Sequence, residues 1–298
     1  MAANQWGVET LQGGTQNDAA TARAARERRQ ALIVPREHGA WGMLLVPLVT
    51  GAGVALRDSD RILPLLLLLV AALTLFWLRT PVESLLGTSA MRAQTRQERI
   101  MVGAVILVLA KIAVVALGLL LWAGRNPALW LIGGAAGAAF VAQALLKRLG
   151  RRTRMLSEIV GTIGLTSAAP AAYYVVTGNF GVTGWMVWLA NLAFAGNQIH
   201  YVQLRIHTAR VEGMNAKLAR GWAFAAGQFL MILVLAFTCW RGWMPWLALL
   251  AFAPVLFRGC LYFFQKPAPL QVRRLGWSEL GQAVAFCILF ICAFFVVR

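Results

Sequence analysis

The chain has 298 residues, 59% of them apolar and only 13% charged, with a formal net charge of +17. Soluble domains carry about a quarter charged residues, so this composition excludes a soluble globular protein and predicts an all-α integral membrane protein. Long uninterrupted apolar runs, such as "LPLLLLLVAALTLFWL" at 63–78, exclude the alternating strands of a membrane barrel. No basic stretch is interleaved with stacking aromatics, so the positive charge points to lipid and not to nucleic acid.

Residues 1–30 are polar and end in the basic run "RAARERRQ". They lack the apolar core and small-residue cleavage site of a secretory signal, and read as a flexible basic cytoplasmic tail ahead of a membrane domain at 31–298. Nine apolar segments follow, at about 40–56, 62–78, 100–123, 127–146, 158–177, 182–203, 219–239, 243–263 and 276–297, each near the length needed to cross a bilayer.

The loops between them differ in charge. Arg23, Arg26, Arg28, Arg29 and Arg36 precede the first segment, and Arg79, Arg92, Arg96 and Arg99 follow the second. Lys147 to Arg154, Arg205 to Arg220, and Lys266 to Arg274 continue the basic series at alternate loops, whereas "TGNFGVTG" at 177–184 holds no charge. The positive-inside rule then predicts a cytoplasmic N-terminus and a C-terminus on the far side.

Along the chain, the first segment opens on "PREHGAWGMLLVP", where Arg36, Glu37, His38 and Trp41 meet a hydrophobic helix. Trp41 suits the aromatic belt at a membrane boundary. After the second segment come Arg79 and Glu83, four apart, with Pro81 between them as the first-turn residue of a new helix. Glu98 lies among arginines as a surface pair, and Lys111 falls midway along the third segment. "GTIGLTSAAP" in the fifth is a packing surface with a kink at Pro170.

The sixth segment ends in "AGNQIHYVQLRIHTAR". On a helix, Asn197, His200 and His207, with Gln203 beside them, share one flank, which should face the bundle interior or a water-filled cavity. With His38, all three histidines then lie at one membrane face. The four cysteines, Cys239, Cys260, Cys287 and Cys292, all lie in apolar runs without CxxC spacing and read as inert packing residues.

"PREHGAWGMLLVP" resembles the opening signature of the YwiC-like family of bacterial membrane proteins. The chain also looks like a divergent relative of the UbiA superfamily of intramembrane prenyltransferases. That resemblance rests on the Asn197 to His207 pattern, the basic loop before the fifth segment, and the long loops after segments two and six. It implies a nine-transmembrane-helix UbiA-like bundle in the bacterial inner membrane, with a cytoplasm-facing pocket and a prenyl or other lipid-like ligand. In that superfamily, aspartate-rich motifs hold magnesium and a prenyl diphosphate. Here Asn197, Leu204 and His207 stand where acids are expected, which argues against a multi-magnesium site and leaves any divalent metal undefined.

Two functions follow. As a divergent prenyl or lipid transferase, the protein would use His38, His200, His207, Glu37 and Glu83 for catalysis. Arg36, Trp41, Arg79, Arg92 and Lys147, with Asn197, Tyr201, Gln203 and Arg205, would contact substrate. The alternative is a non-catalytic membrane protein that binds or moves a lipid or small hydrophobic molecule. An ion-coupled transporter ranks below both, because Lys111 alone supports it.

Overall fold

The structure is a computed structural model and describes residues 21–35, 38–59, 61–89, 91–124, 127–150, 153–266, 268–269 and 271–296. Among these residues it is helical, with no strand. The helices, in chain order, are α1 (21–33), α2 (His38–Leu56), α3 (Ile62–Leu86), α4 (Arg96–Trp122), α5 (Pro127–Arg148) and α6 (Arg154–Thr166). They continue as α7 (Ala168–Thr177), α8 (Val182–Thr208), α9 (Met214–Trp240), a 3₁₀ helix Trp246–Phe252, α10 (Ala253–Phe264) and α11 (Val272–Val296).

The chain divides into two compact units. The first comprises residues 1–36 and 70–115. Here residues 21–33, the described end of the polar tail and its junction, form α1, which ends with free backbone carbonyls, as every helix does, and α3 satisfies two of them. Trp77 Nε1 donates to the Ile33 carbonyl at 2.9 Å, and Ser84 Oγ donates to the Leu32 carbonyl at 3.1 Å. Leu32, Ala93 and Val102 are buried together beneath this contact. α4 starts on a capping box, in which Thr95 Oγ1 accepts from the Glu98 N–H while the Glu98 carboxylate accepts from the Thr95 N–H. Glu98 also pairs with Arg28 of α1 at 2.7 Å. That ion pair and hydrogen bond raise the Arg28 pKa above its ordinary value.

The second unit, residues 37–69 and 116–298, holds the larger core. α2 packs against α7 and α11, and α8 packs against α6, α7 and α9. The core is rich in rings: Phe194 of α8 stacks on Phe286 of α11 at 4.2 Å, and Phe252 and Phe290 close around Phe286. α2 reaches α7 closely because Gly51 has no side chain; a Cβ there would collide with the Ala169 backbone. Where α2 meets α8, Thr50 donates to Asn191 Oδ1 at 3.0 Å, and Asn191 Nδ2 donates to the Val187 carbonyl at 2.8 Å. Both residues are buried, and each polar group between them has a partner.

Each apolar segment expected from the sequence lies on one of these helices, with the fifth split at Ser167 and the eighth beginning as 3₁₀. Seven helical stretches among the described residues are long and apolar enough to cross a membrane. The expected first and sixth spans are not among the seven. The apolar part of α2, Trp41–Leu56, is short, and α8 carries Asn191, Asn197, Gln198, His200, Gln203, Arg205 and His207 along its length. Pro81 also departs from expectation, because α3 runs through it to Leu86 instead of restarting there. The expected break in the fifth segment is present: α6 stops at Thr166 and α7 restarts with Pro170 in its first turn. Lys111 is exposed on α4. All four cysteines are free thiols, and only Cys239 is fully buried.

Candidate functional site

α8 carries most of the chemistry, and its 3.6-residue period distributes that chemistry over three neighbours. Toward α6 and α9, Asn197 and His200 line a cleft of about 390 Å³. The walls are Met155, Ile159 and Thr162 from α6 and Phe224, Gly227 and Gln228 from α9, with further apolar residues of both α8 and α9. His200 stands edge-on to the Phe224 ring, 6.3 Å between centroids. Asn197 is 8% exposed and Gln228 7% exposed. Asn197 Oδ1 and both carboxamide atoms of Gln228 have no hydrogen-bond partner in the protein.

Three residues further along α8, contacts within the protein take over. Gln203 Nε2 donates to Glu158 Oε2 of α6 at 3.0 Å and lies 3.1 Å from Met155 Sδ. His207 Nδ1 lies 2.8 Å from the Gln203 carbonyl, close enough to donate to it, and the residue is exposed. The expected single flank of Asn197, His200, Gln203 and His207 is therefore divided. The first two line the cleft, Gln203 binds α6, and His207 folds back on its own helix.

The opposite side of α8 faces a buried group of cations and rings. The Arg258 guanidinium lies over the Tyr201 ring at 3.9 Å and pairs with Glu279 of α11. Arg205 and Lys217 both lie over the Tyr262 ring, at 4.9 and 5.0 Å. Tyr262 Oη is 2.8 Å from Thr208 Oγ1, Lys217 donates to the Gln265 carbonyl, and Gln198 donates to the Glu279 carbonyl at 3.0 Å. Three cations against one carboxylate are held here largely by aromatic faces and backbone oxygens. Lys217, which the loop charges placed in a cytoplasmic loop, is 1% exposed in the first turn of α9.

The other expected site residues fall elsewhere. Arg36 and Glu37 lie outside the described residues, as does the side chain of His38, the first residue of α2. Trp41 is half-buried one turn later. In the first unit Arg79 and Glu83 form an ion pair at 3.1 Å, both largely buried. Arg92 is exposed there, and its backbone carbonyl accepts from Arg28 at 3.4 Å. Lys147 is exposed in the last turn of α5.

Gln228 and Arg258 were not anticipated. Both carried a legible signal, since a carboxamide or guanidinium inside an apolar run needs a partner or a cavity. Among the described residues, no group of three or more His, Cys, Asp or Glu side chains is placed to hold a metal. The donors on α8 do not fit the multi-magnesium site that the prenyltransferase resemblance implies. Leu204 supplies no oxygen and packs with Tyr201, Phe224, Tyr262 and Phe263.

No curated protein and no solved structure matches the chain. A family model does match it in part. The match starts beside the "PREHGAWG" run and stops within α7, before α8 and α9 add their walls to the cleft. Residues 34–173 of this chain match the model of the YwiC-like protein family.

Proposed function

We propose that the protein is a polytopic inner-membrane protein that holds a lipid-like molecule in the cleft between α6, α8 and α9. One observation carries this reading: the cleft has a small-molecule volume and a mostly apolar lining with a few polar residues in it. Leu230 and Ile159 of its walls are also outwardly exposed, as residues facing hydrocarbon would be. On this reading α2 and α8 also cross the bilayer, giving nine spans and a cytoplasmic N-terminus. Exposed tryptophans support an interfacial position for two connections: Trp122 and Trp130 flank 123–126, and Trp240 and Trp246 flank 241–245.

A photoactivatable alkyl probe tests the binding reading in nanodiscs containing the full chain. Labelling should concentrate on peptides of α6, α8 and α9. Gly196 lines the cleft with no atom within 4 Å of a Cβ placed there, so Gly196→Trp should fill the space and reduce this labelling about tenfold. Labelling spread evenly over the exposed helices, unchanged by Gly196→Trp, would sink the reading.

The second reading is a divergent UbiA-like transferase. His200 in the cleft wall supports it, whereas Lys217 and Arg258 on the other side of α8 are already held by the Gln265 carbonyl and Glu279. Incubating the purified protein with prenyl diphosphates and lipid-soluble acceptors, with and without divalent metal, decides it. Product that disappears in His200→Ala favours the transferase; no product from well-folded protein removes it.

A further inference from the structure

We propose that the first unit carries a lipid-selective surface, in which α1, docked on the start of α4, holds arginines at head-group level and gathers anionic phospholipids. This goes beyond the cleft and rests only on α4 crossing the bilayer.

The dock builds the surface. Arg28 of α1 pairs with Glu98 at 2.7 Å and donates to the Arg92 carbonyl at 3.4 Å, while Leu32 is buried with Ala93 and Val102. At 3.6 residues per turn, Arg28, Ala31 and Leu32 share this docked side of α1. Arg23, Arg26 and Arg29, spaced three apart, fan over the other side and are exposed. Arg92, Arg96 and Arg99 are exposed on the segment that α1 docks against.

Little negative charge offsets these cations. The acids of this unit among the described residues are Glu27, Glu83 and Glu98, and each is already ion-paired, with Arg23, Arg79 and Arg28. Among the described residues, Arg26, Arg29, Arg92, Arg96 and Arg99 form no ion pair.

Their depth follows from α4. Ile100, the residue after Arg99, is 63% exposed, and Leu107, Val108, Val114 and Val115 continue an exposed apolar surface along the helix. The arginines therefore end where hydrocarbon-facing side chains begin, which is the level of lipid phosphates. Trp77, partly exposed and bonded to the Ile33 carbonyl at the end of α1, is the interfacial aromatic at the same junction.

A fluid lipid shell suits this arrangement better than a rigid partner. Arginines on two elements point at different angles, and mobile phosphodiesters can move to each of them. A guanidinium matches a phosphate with two parallel hydrogen bonds. Neither α1 nor 92–99 holds an aromatic side chain on which a base could stack, which disfavours a nucleic acid.

The test reconstitutes the full chain with spin-labelled phosphatidylglycerol or phosphatidylcholine and measures the motionally restricted fraction of each. Phosphatidylglycerol should be preferred about fivefold, the gain expected from one arginine near a lipid surface. Salt near 1 M, where the screening length falls to about 3 Å, should remove most of that preference. The triple variant Arg26→Gln, Arg29→Gln, Arg96→Gln changes only exposed side chains and should lower the preference to about twofold or less. Leu32→Ser keeps every charge but loosens the dock, so hydrogen exchange in α1 should quicken and the preference should fall. A preference unchanged in the triple variant, or unchanged when α1 is released, would overturn the proposal. A structured RNA that binds the reconstituted protein but not the triple variant, with no lipid preference, would assign the arginines to nucleic acid and overturn it equally. If even phosphatidylcholine shows no restricted fraction, the membrane-spanning reading fails and this proposal with it.

Discussion

Arg258 lies in the apolar run "APVLFRGCLYFF", where a cation is expensive unless something holds it. The Tyr201 ring and the Glu279 carboxylate do so. Arg258→Ala should cost about 3–5 kcal/mol, because it strands a buried carboxylate. The double variant Arg258→Met with Glu279→Met should recover most of that loss. Thermal unfolding of the purified single and double variants measures both, and equal losses in the two would refute the pairing argument. Thr50→Val is a smaller case: it leaves Asn191 Oδ1 without its donor inside the α2–α8 contact and should cost about 1–3 kcal/mol in the same assay. Asn197 and His200 were legible in the sequence, since polar residues at helical spacing on a membrane segment announce themselves. Gln228 carried the same signal, a carboxamide inside "AFAAGQFLMILVL", but not its neighbour: a Cβ on Gly259 of α10 would collide with its Nε2.

Among the elements, α4 shows how much local sequence specifies. The run Thr95-Arg96-Gln97-Glu98 has capping-box spacing, and the two reciprocal bonds form. The reading of Glu98 as a simple surface pair missed this. Thr95→Ala should cost about 1 kcal/mol, seen as faster hydrogen exchange in the first turn of α4 with later turns unaffected. Glycines divide by what surrounds them. Gly51→Ala drives a Cβ into the Ala169 backbone and should lower the unfolding midpoint by several degrees, whereas Gly118→Ala meets open space and should be neutral or stabilising by up to about 1 kcal/mol. Loss of stability in Gly118→Ala would mean that its open face is packed in the membrane. Pro81 shows where local rules fall short. Proline favours a helix's first turn, yet α3 continues through it, and Ser84 beyond it is fixed by its bond to the end of α1.

At the scale of the whole molecule, the open question with the clearest answer is the number of membrane crossings. Single cysteines at Ser89 and Asn179, in a background with the native cysteines replaced, report on it. With nine spans and a cytoplasmic N-terminus, an impermeant maleimide should label Asn179→Cys in intact cells. It should label Ser89→Cys only after permeabilisation. If α2 does not cross, Ser89→Cys becomes accessible from outside, and the basic loops lie opposite to the expected side. Composition, apolar run lengths and the charges between them were enough to determine a helical membrane protein and the position of nearly every helix. Those properties depend on residues close together in the chain and on the cost of leaving backbone groups unpaired in lipid. Only the tertiary structure decided what each flank of α8 meets. Helical period sets the angle at which Asn197, Tyr201, Gln203 and Arg205 project, but not which helix stands at that angle. Asn197 became an open cleft wall, Gln203 a bond to α6, and Tyr201 and Arg205 members of a cation–ring cluster, because α6, α9 and α10 come from distant parts of the chain.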